Sequence, residues 1–97
     1  MATGLDALMY EFTLQDDDYY TTVGIHFAVC DVLMVTDPEL IPARWEFRPS
    51  PLWNGTIEED SYDAMVMLEL VESGEVATAD LVAYGDFLAA HAAKVGE

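Results

Sequence analysis

The chain contains very few basic residues. Arg44, Arg48 and Lys94 are the three in 97 residues, against 19 aspartates and glutamates, and the formal net charge is -16. Most carboxylates therefore have no salt-bridge partner within the chain. Such a surface repels nucleic acid and anionic membranes, and it attracts basic proteins. The composition predicts a basic, nucleic-acid-binding protein as partner, and it argues against nucleic acid or a membrane as a direct ligand.

Cysteine and long apolar runs are scarce as well. Cys30 is the single cysteine, so no disulfide forms within the chain, and its apolar neighbours predict a buried thiol in a reducing compartment. The acidic N-terminal stretch lacks the basic start and apolar run of a signal peptide. No stretch comes near the roughly 20 apolar residues that span a bilayer. We therefore expect a cytoplasmic protein, in the host cytoplasm if it is phage-encoded.

The apolar content is nevertheless high enough for a folded domain. Hydrophobic residues make up 53% of the chain and aromatic residues 11%, which offsets chain entropy despite the self-repulsion of the charges. A chain of this length has one modest core. We predict a single acidic domain over residues 1–97.

Alternation of apolar and polar residues predicts β-strands. Met9 to Leu14 and Tyr19 to Val29 both show a period of two, and the acidic stretch Asp16 to Asp18 between them is expected to form a hairpin tip. Asp31 to Thr36 continues either as the same strand past a bulge or as a third strand after a tight turn. Ala43 to Arg48 lies between prolines and is expected to be an edge strand.

The central element is the apolar run from Tyr62 to Val71, which we predict to be a core strand. A helix is the alternative, because its residue types favour helices and Thr56 with Glu59 resembles a capping box. The strand is preferred because a helical wheel of Met65 to Val71 leaves no polar face, whereas a central strand can be apolar on both sides. Before it, Asn54-Gly55 predicts a two-residue hairpin turn.

One helix is predicted near the C-terminus. Thr78 is expected to cap a helix from about Ala79 to Val95 that ends at Gly96. The fold class predicted from these elements is α+β, with a mainly antiparallel sheet of four to five strands and the C-terminal helix packed on one face. A strand carrying Met65 and Met67 would leave one apolar face uncovered. Another layer of strands or a second copy of the chain would cover it, so we expect a homodimer.

The acidic residues gather in stretches assigned to loops and exposed faces. Alternate residues of a strand project about 6.6 Å apart, which is similar to the interval between phosphates along a nucleic-acid strand. Rows of carboxylates can therefore imitate a phosphate backbone. The alternative is a solvated surface that keeps the chain soluble. The residues predicted to contact the partner are Asp16, Asp17, Asp18, Asp37, Glu39, Glu58, Glu59, Asp60 and Asp63.

Metal binding has little support in the pattern. The stretch Asp16 to Asp18 lacks the spaced arrangement of aspartates and glycine that binds calcium. His26 with Cys30, and the distant His91, have no second ligand pair of the kind that holds zinc, so packing in the core is expected. We predict no metal and no cofactor.

Catalysis is not expected either. Paired carboxylates serve as general acids and bases only within a pocket, and the chain has no glycine-rich phosphate loop and no nucleophile motif.

Arg44 and Arg48 share a predicted strand face with Glu46. We interpret the three as a local ion network; the alternative is that the arginines orient nearby carboxylates towards a partner.

Together these features predict an acidic, non-catalytic inhibitor. It would imitate the charge of nucleic acid and occlude the basic DNA- or RNA-binding groove of a host defence protein, as anti-CRISPR and anti-restriction proteins of phages do. One alternative is an immunity protein, antitoxin or secretion chaperone that binds one basic partner through an apolar patch as well. Another is an ordinary domain of a halophile, in which carboxylates hold hydration in concentrated salt.

Overall fold

The computed structural model describes residues 4–12, 19–46, 55, 57 and 61–96, and most of these residues are helical. No strand is found among them, so the predicted antiparallel sheet and the α+β class are wrong for this part of the chain. The described fold is all-α. Its elements are α1 (Leu5–Glu11), α2 (Tyr19–Thr36), a short 3-10 helix (Pro38–Leu40), α3 (Tyr62–Ser73) and α4 (Thr78–Val95).

Helix α2 is the central element. The predicted strand over Tyr19 to Val29 is wrong, and so are both alternatives for Asp31 to Thr36, because the whole stretch is one helix. It contacts α3, α4 and the 3-10 helix, and it is apolar around most of its circumference. A helix covered from several sides needs no polar face. Its β-branched residues therefore mark burial in a helix, because tertiary packing overrides their preference for strands. Its buried residues are Thr22, Ile25, His26, Ala28, Val29, Cys30, Val32 and Leu33.

Helix α3 shows that the alternative interpretation of the apolar run was the right one. The run forms a helix that starts after Ser61 and ends at Gly74, whose φ of 87° places it in the left-handed conformation that glycine tolerates. Thr56 and Glu59 lie before this start and outside the described residues. The helical wheel covered only Met65 to Val71, so it left out the exposed polar residues Glu72 and Ser73 at the end of the helix. Ala64 and Met67 are buried, and the exposed residues are Tyr62, Met65, Glu69, Glu72 and Ser73.

Helix α4 confirms the predicted C-terminal helix, including its end at Gly96. It begins at Thr78, so the N-cap is Ala77 and not Thr78. The Asp80 carboxylate accepts the Ala77 backbone N–H at 2.9 Å, and Lys94 lies in the last turn, which suits the helix dipole. Three residues of the predicted apolar stripe are fully buried, namely Leu81, Tyr84 and Leu88.

The two remaining predicted strands are wrong where the structure describes them, whereas part of a predicted turn agrees with it. Met9 to Glu11 belong to α1, so the first strand is wrong where it is described, and residues 13 and 14 lie outside the described part. Residues 43–46 form turns and bends, so the edge strand is wrong as far as Glu46. Gly55 has a φ of 89°, which agrees with the positive φ predicted for the Asn54-Gly55 turn. Asn54 and the rest of that hairpin lie outside the described residues.

Two hydrogen bonds join α1 to the second half of the chain. The Gly4 N–H donates to the Glu75 carbonyl oxygen at 2.7 Å, and the buried Tyr84 hydroxyl donates to the Phe12 carbonyl oxygen at 3.2 Å. Leu8 of α1 is fully buried. These contacts hold α1 against α4 although α1 is short.

Trp45 packs into the core between α2 and α4. It follows the 3-10 helix and is 4% exposed. Its indole lies directly over Gly85 of α4, where an added Cβ would overlap ring atoms Cη2 and Cζ2. The same ring meets His26 of α2 edge-on, with centroids 4.8 Å apart. Trp45 therefore joins α2 and α4, and Gly85 provides the room for it.

Gly85→Ala is predicted to destabilise the protein by about 1–3 kcal/mol, the usual cost of forcing atoms into a packed core. In an exposed helical position the same change stabilises by about 0.5–1 kcal/mol. The sign of the change in the free energy of unfolding therefore reports whether Trp45 packs on Gly85. Urea unfolding followed by circular dichroism measures it.

Gly24→Ala is the matched control, because Gly24 lies in α2 with no atom within 4 Å of an added Cβ. It is expected to raise the free energy of unfolding. If both variants are stabilised, Trp45 does not pack on Gly85 as described.

Candidate partner-binding surface

The carboxylates of the described residues lie at the surface of every helix. None is buried, and they are spread over α1, α2, α3, α4 and the connecting segments. Rows at strand spacing do not occur among them, because no described residue forms a strand. The predicted phosphate-like rows are therefore wrong for this part of the chain. The described members are Asp6, Glu11, Asp31, Asp37, Glu39, Glu46, Asp63, Glu69, Glu72, Glu75, Asp80 and Asp86.

Three of the nine predicted contact residues fall in described parts of the chain. Asp37 precedes the 3-10 helix and Glu39 lies within it, whereas Asp63 lies in the first turn of α3. Glu39 is exposed, and Asp37 and Asp63 are half-buried. The three belong to two separate elements. The other six, Asp16, Asp17, Asp18, Glu58, Glu59 and Asp60, lie outside the described residues.

Arg44 and Asp86 form the one ion pair within the described ranges. Arg44 Nη2 donates to both carboxylate oxygens of Asp86, at 2.9 and 2.6 Å. Trp45 Nε1 donates to Asp86 Oδ1 at 2.8 Å. The Trp45 hydrogen bond, together with the Arg44 guanidinium, lowers the pKa of Asp86 below its ordinary value of 3.8. Arg44 thus pairs with Asp86 of α4 and not with Glu46. Arg48, the third member of the predicted ion network, lies outside the described residues.

The rest of the described surface has little positive charge to offset its carboxylates. Lys94 is exposed near the end of α4, and Arg48 lies outside the described residues. Asp86 was missed from the sequence because its contact with Arg44 spans 42 residues. No local pattern marks a pair at that separation.

His26 and Cys30 lie in the core, as the sequence predicts. Both are fully buried, and Cys30 Sγ lies 3.7 Å from His26 Nδ1, one helical turn away. His91 is distant from them in α4 and stacks on Phe87, with ring centroids 6.1 Å apart. Among the described residues no group of three histidine, cysteine or acidic side chains is arranged to hold a metal ion.

A groove lies between the middle of α2 and the start of α3. It encloses about 320 Å³. Phe27 and Tyr62 line it with exposed rings, and Asp31 and Asp63 line it with carboxylates; Gly24 and Ser61 also contribute. Tyr62 is 71% exposed and Phe27 41%. The groove therefore combines aromatic surface with negative charge.

Burial disfavours the charged form of one carboxylate in this groove, Asp31. Burial raises the pKa of Asp31, which means that its charged form loses water contacts on folding. The pKa of Tyr84 in α4 is also raised, first by burial and then by the negative charge of Asp63. Asp63 thus adds negative potential where α3 approaches the core. Sequence reasoning included Asp63 and missed Asp31, which it placed at a bulge or turn.

Comparison with known proteins finds no family model, no curated protein and no solved structure that matches this chain.

Helix α2 has the length and apolar composition of a membrane-crossing segment, contrary to the expectation that no stretch comes near this length. A central core helix passes the same test. Here 44% of the segment is buried against the rest of the protein, and α3 and α4 both pack on it.

Asp86→Ala is predicted to destabilise the protein by about 1–3 kcal/mol, because the buried Trp45 N–H loses its acceptor. Asp86→Asn keeps an oxygen for Trp45 and loses only the charge, so it should cost less. The lowered pKa means that the ionised carboxylate stabilises the fold above about pH 4, and that this contribution disappears as pH falls through the folded value. Urea unfolding from neutral to acidic pH checks both points; equal stability of the two variants would contradict the Trp45 hydrogen bond.

Asp31→Asn is predicted to raise the free energy of unfolding at pH 7. The raised pKa means that ionised Asp31 destabilises the folded state at neutral pH, and that this cost is relieved as pH falls through the folded value. The advantage of the variant should therefore shrink in acid. Glu72→Gln removes the same charge from an exposed site and should change stability by no more than about 0.5 kcal/mol. At pH 7 we expect Asp31→Asn to raise the free energy of unfolding by more than Glu72→Gln changes it. A smaller change would contradict the desolvation of Asp31.

Proposed function

We propose that this protein is an acidic, non-catalytic inhibitor that occupies the basic nucleic-acid-binding surface of a host defence protein. The observation that carries the proposal is the unneutralised surface. The carboxylates of the described residues are exposed or half-buried, and Asp86 alone among them is ion-paired. Such a field attracts a surface rich in lysine and arginine and repels nucleic acid.

The helical fold changes how such an inhibitor would work. Carboxylates on several helices imitate the charge density of nucleic acid and not the regular interval of its phosphates. Binding would then depend on the total field and on release of counterions from both surfaces, so it would weaken steeply with salt. Such recognition favours a broad basic groove over one pocket of fixed geometry.

A second candidate is an immunity protein, antitoxin or secretion chaperone for one basic partner. The exposed apolar side chains favour it, because a cognate interface needs a desolvated centre as well as charge. Tyr20 on α2 is 86% exposed, and on α3 Tyr62 is 71% exposed and Met65 41%. The homodimer predicted from the sequence stays a prediction. Met67 no longer supports it, because its side chain is fully buried, whereas Met65 is exposed.

The first candidate predicts salt-sensitive inhibition of a nucleic-acid-binding enzyme. The protein is added to a panel of purified RNA-guided nucleases and restriction enzymes, and DNA binding and cleavage are measured as salt rises from about 50 to about 200 mM. Inhibition of at least one enzyme should weaken by about tenfold or more over this range, because counterion release dominates such contacts.

Matched charge variants test which acids make the contact. Replacing Asp16, Asp17 and Asp18 by Asn should weaken inhibition more than replacing Glu69, Glu72 and Glu75 by Gln, since each variant loses three charges and the first set is predicted to meet the partner. Inhibition that ignores salt would rule out charge mimicry. Lack of inhibition across the panel would favour the cognate-partner candidate, and a chain that folds only in molar salt by circular dichroism would favour a halophile domain.

A further inference from the structure

The groove between α2 and α3 has two aromatic walls on one stretch of surface. Phe27 projects from the middle of α2 and Tyr62 from the first turn of α3, and both line the same cavity. Gly24 and Ala28, which have small or no side chains, also line the groove on α2. The faces of exposed aromatic rings attract cations through their quadrupole, and a guanidinium also stacks on them.

The same groove brings together two carboxylates from different helices. Asp31 lies one turn after Phe27 on α2, and Asp63 follows Tyr62 directly on α3. Neither is joined to Arg44, whose guanidinium is held by Asp86. Burial raises the pKa of Asp31, so a cation placed beside it would recover interactions that the carboxylate lost on folding.

We propose that this groove receives an arginine side chain of the basic partner, with the guanidinium between Phe27 and Tyr62 and bound by Asp31 and Asp63. The inference rests on the proposed function, which supplies a partner rich in basic residues. It adds one specific position to an otherwise diffuse attraction.

Arginine fits this groove better than lysine does. A planar guanidinium stacks on aromatic rings and donates to two carboxylates at once, whereas an ammonium is a compact and strongly hydrated point charge. The volume of about 320 Å³ is near the lower end of ligand pockets, which is about 300 Å³. It suits one side chain and not a folded segment.

The test is a titration of the isotope-labelled protein with a blocked Gly-Arg-Gly peptide, followed by amide chemical shifts. Saturable shifts are expected at Phe27, Asp31, Tyr62 and Asp63. The same peptide with citrulline in place of arginine keeps the shape and lacks the charge, so it should give no saturable shift. The lysine peptide should bind more weakly than the arginine peptide.

Two double variants separate the groove from the general charge of the surface. Asp31→Asn with Asp63→Asn should weaken arginine binding by about tenfold or more, the usual effect of losing charge-assisted hydrogen bonds. Glu69→Gln with Glu72→Gln removes the same charge from exposed positions of α3 and should leave binding within about twofold of the parent, as expected for screened surface charges.

A third variant, Tyr62→Leu, tests the aromatic wall without changing charge. It should weaken arginine binding by about two- to fivefold, in line with an exposed cation–π contact. Circular dichroism confirms that each variant keeps its helices. Shifts spread over acidic residues of all four helices, or arginine binding that survives the Asp31 and Asp63 replacements, would overturn the inference.

The peptide titration needs no target enzyme, so the two proposals fail separately. Arginine binding in the groove without inhibition of any enzyme in the panel would refute the proposed inhibitor and leave the groove as an arginine site. Salt-sensitive inhibition without saturable peptide binding would refute the groove and leave the inhibitor.

Discussion

The described structure depends on covering one helix that has almost no polar face. Most side chains of α2 are apolar, and its buried positions point in more than one direction. No single neighbour can remove such a surface from water. Helices α3 and α4 both contact α2, and Trp45 covers the turn that carries His26. The hydrophobic free energy of burying α2 must also offset the mutual repulsion of a chain with net charge -16.

The sequence predicted α4 and not α2, and the difference has a physical cause. Helix α4 has one buried stripe and charges at its ends that suit the dipole, so periodicity and end signals agree. In α2 most positions are apolar, so Val23, Ile25, Phe27 and Val29 fit a period of two. Thr22, Ile25, Val29 and Leu33 fit a helical period equally well. Length was the better guide, because 18 residues exceed the usual strand of about 3–10 residues.

The charge of the candidate surface could be predicted, whereas its arrangement could not. Composition alone fixes the excess of carboxylates. Which of them meet depends on how each helix is rotated, and that is set by buried residues elsewhere in the chain. Asp31 and Asp63 are 32 positions apart and share a groove only because α3 packs across the middle of α2. The pairing of Arg44 with Asp86 has the same origin, because the neighbouring Trp45 packs on α4 at Gly85.

Charge and exposed apolar surface occur together along one side of α2, and this combination bears on recognition. Tyr20, Phe27, Asp31 and Val35 recur at helical spacing, so they share a face. An apolar face alone would attract a second copy of the chain, yet two chains of net charge -16 repel each other. A basic partner experiences no such conflict, because its charge is attracted by the carboxylates while its apolar surface covers the rings. In the proposed inhibitor, the long-range field would select a partner of positive charge, and the α2 face would decide which basic partner stays bound.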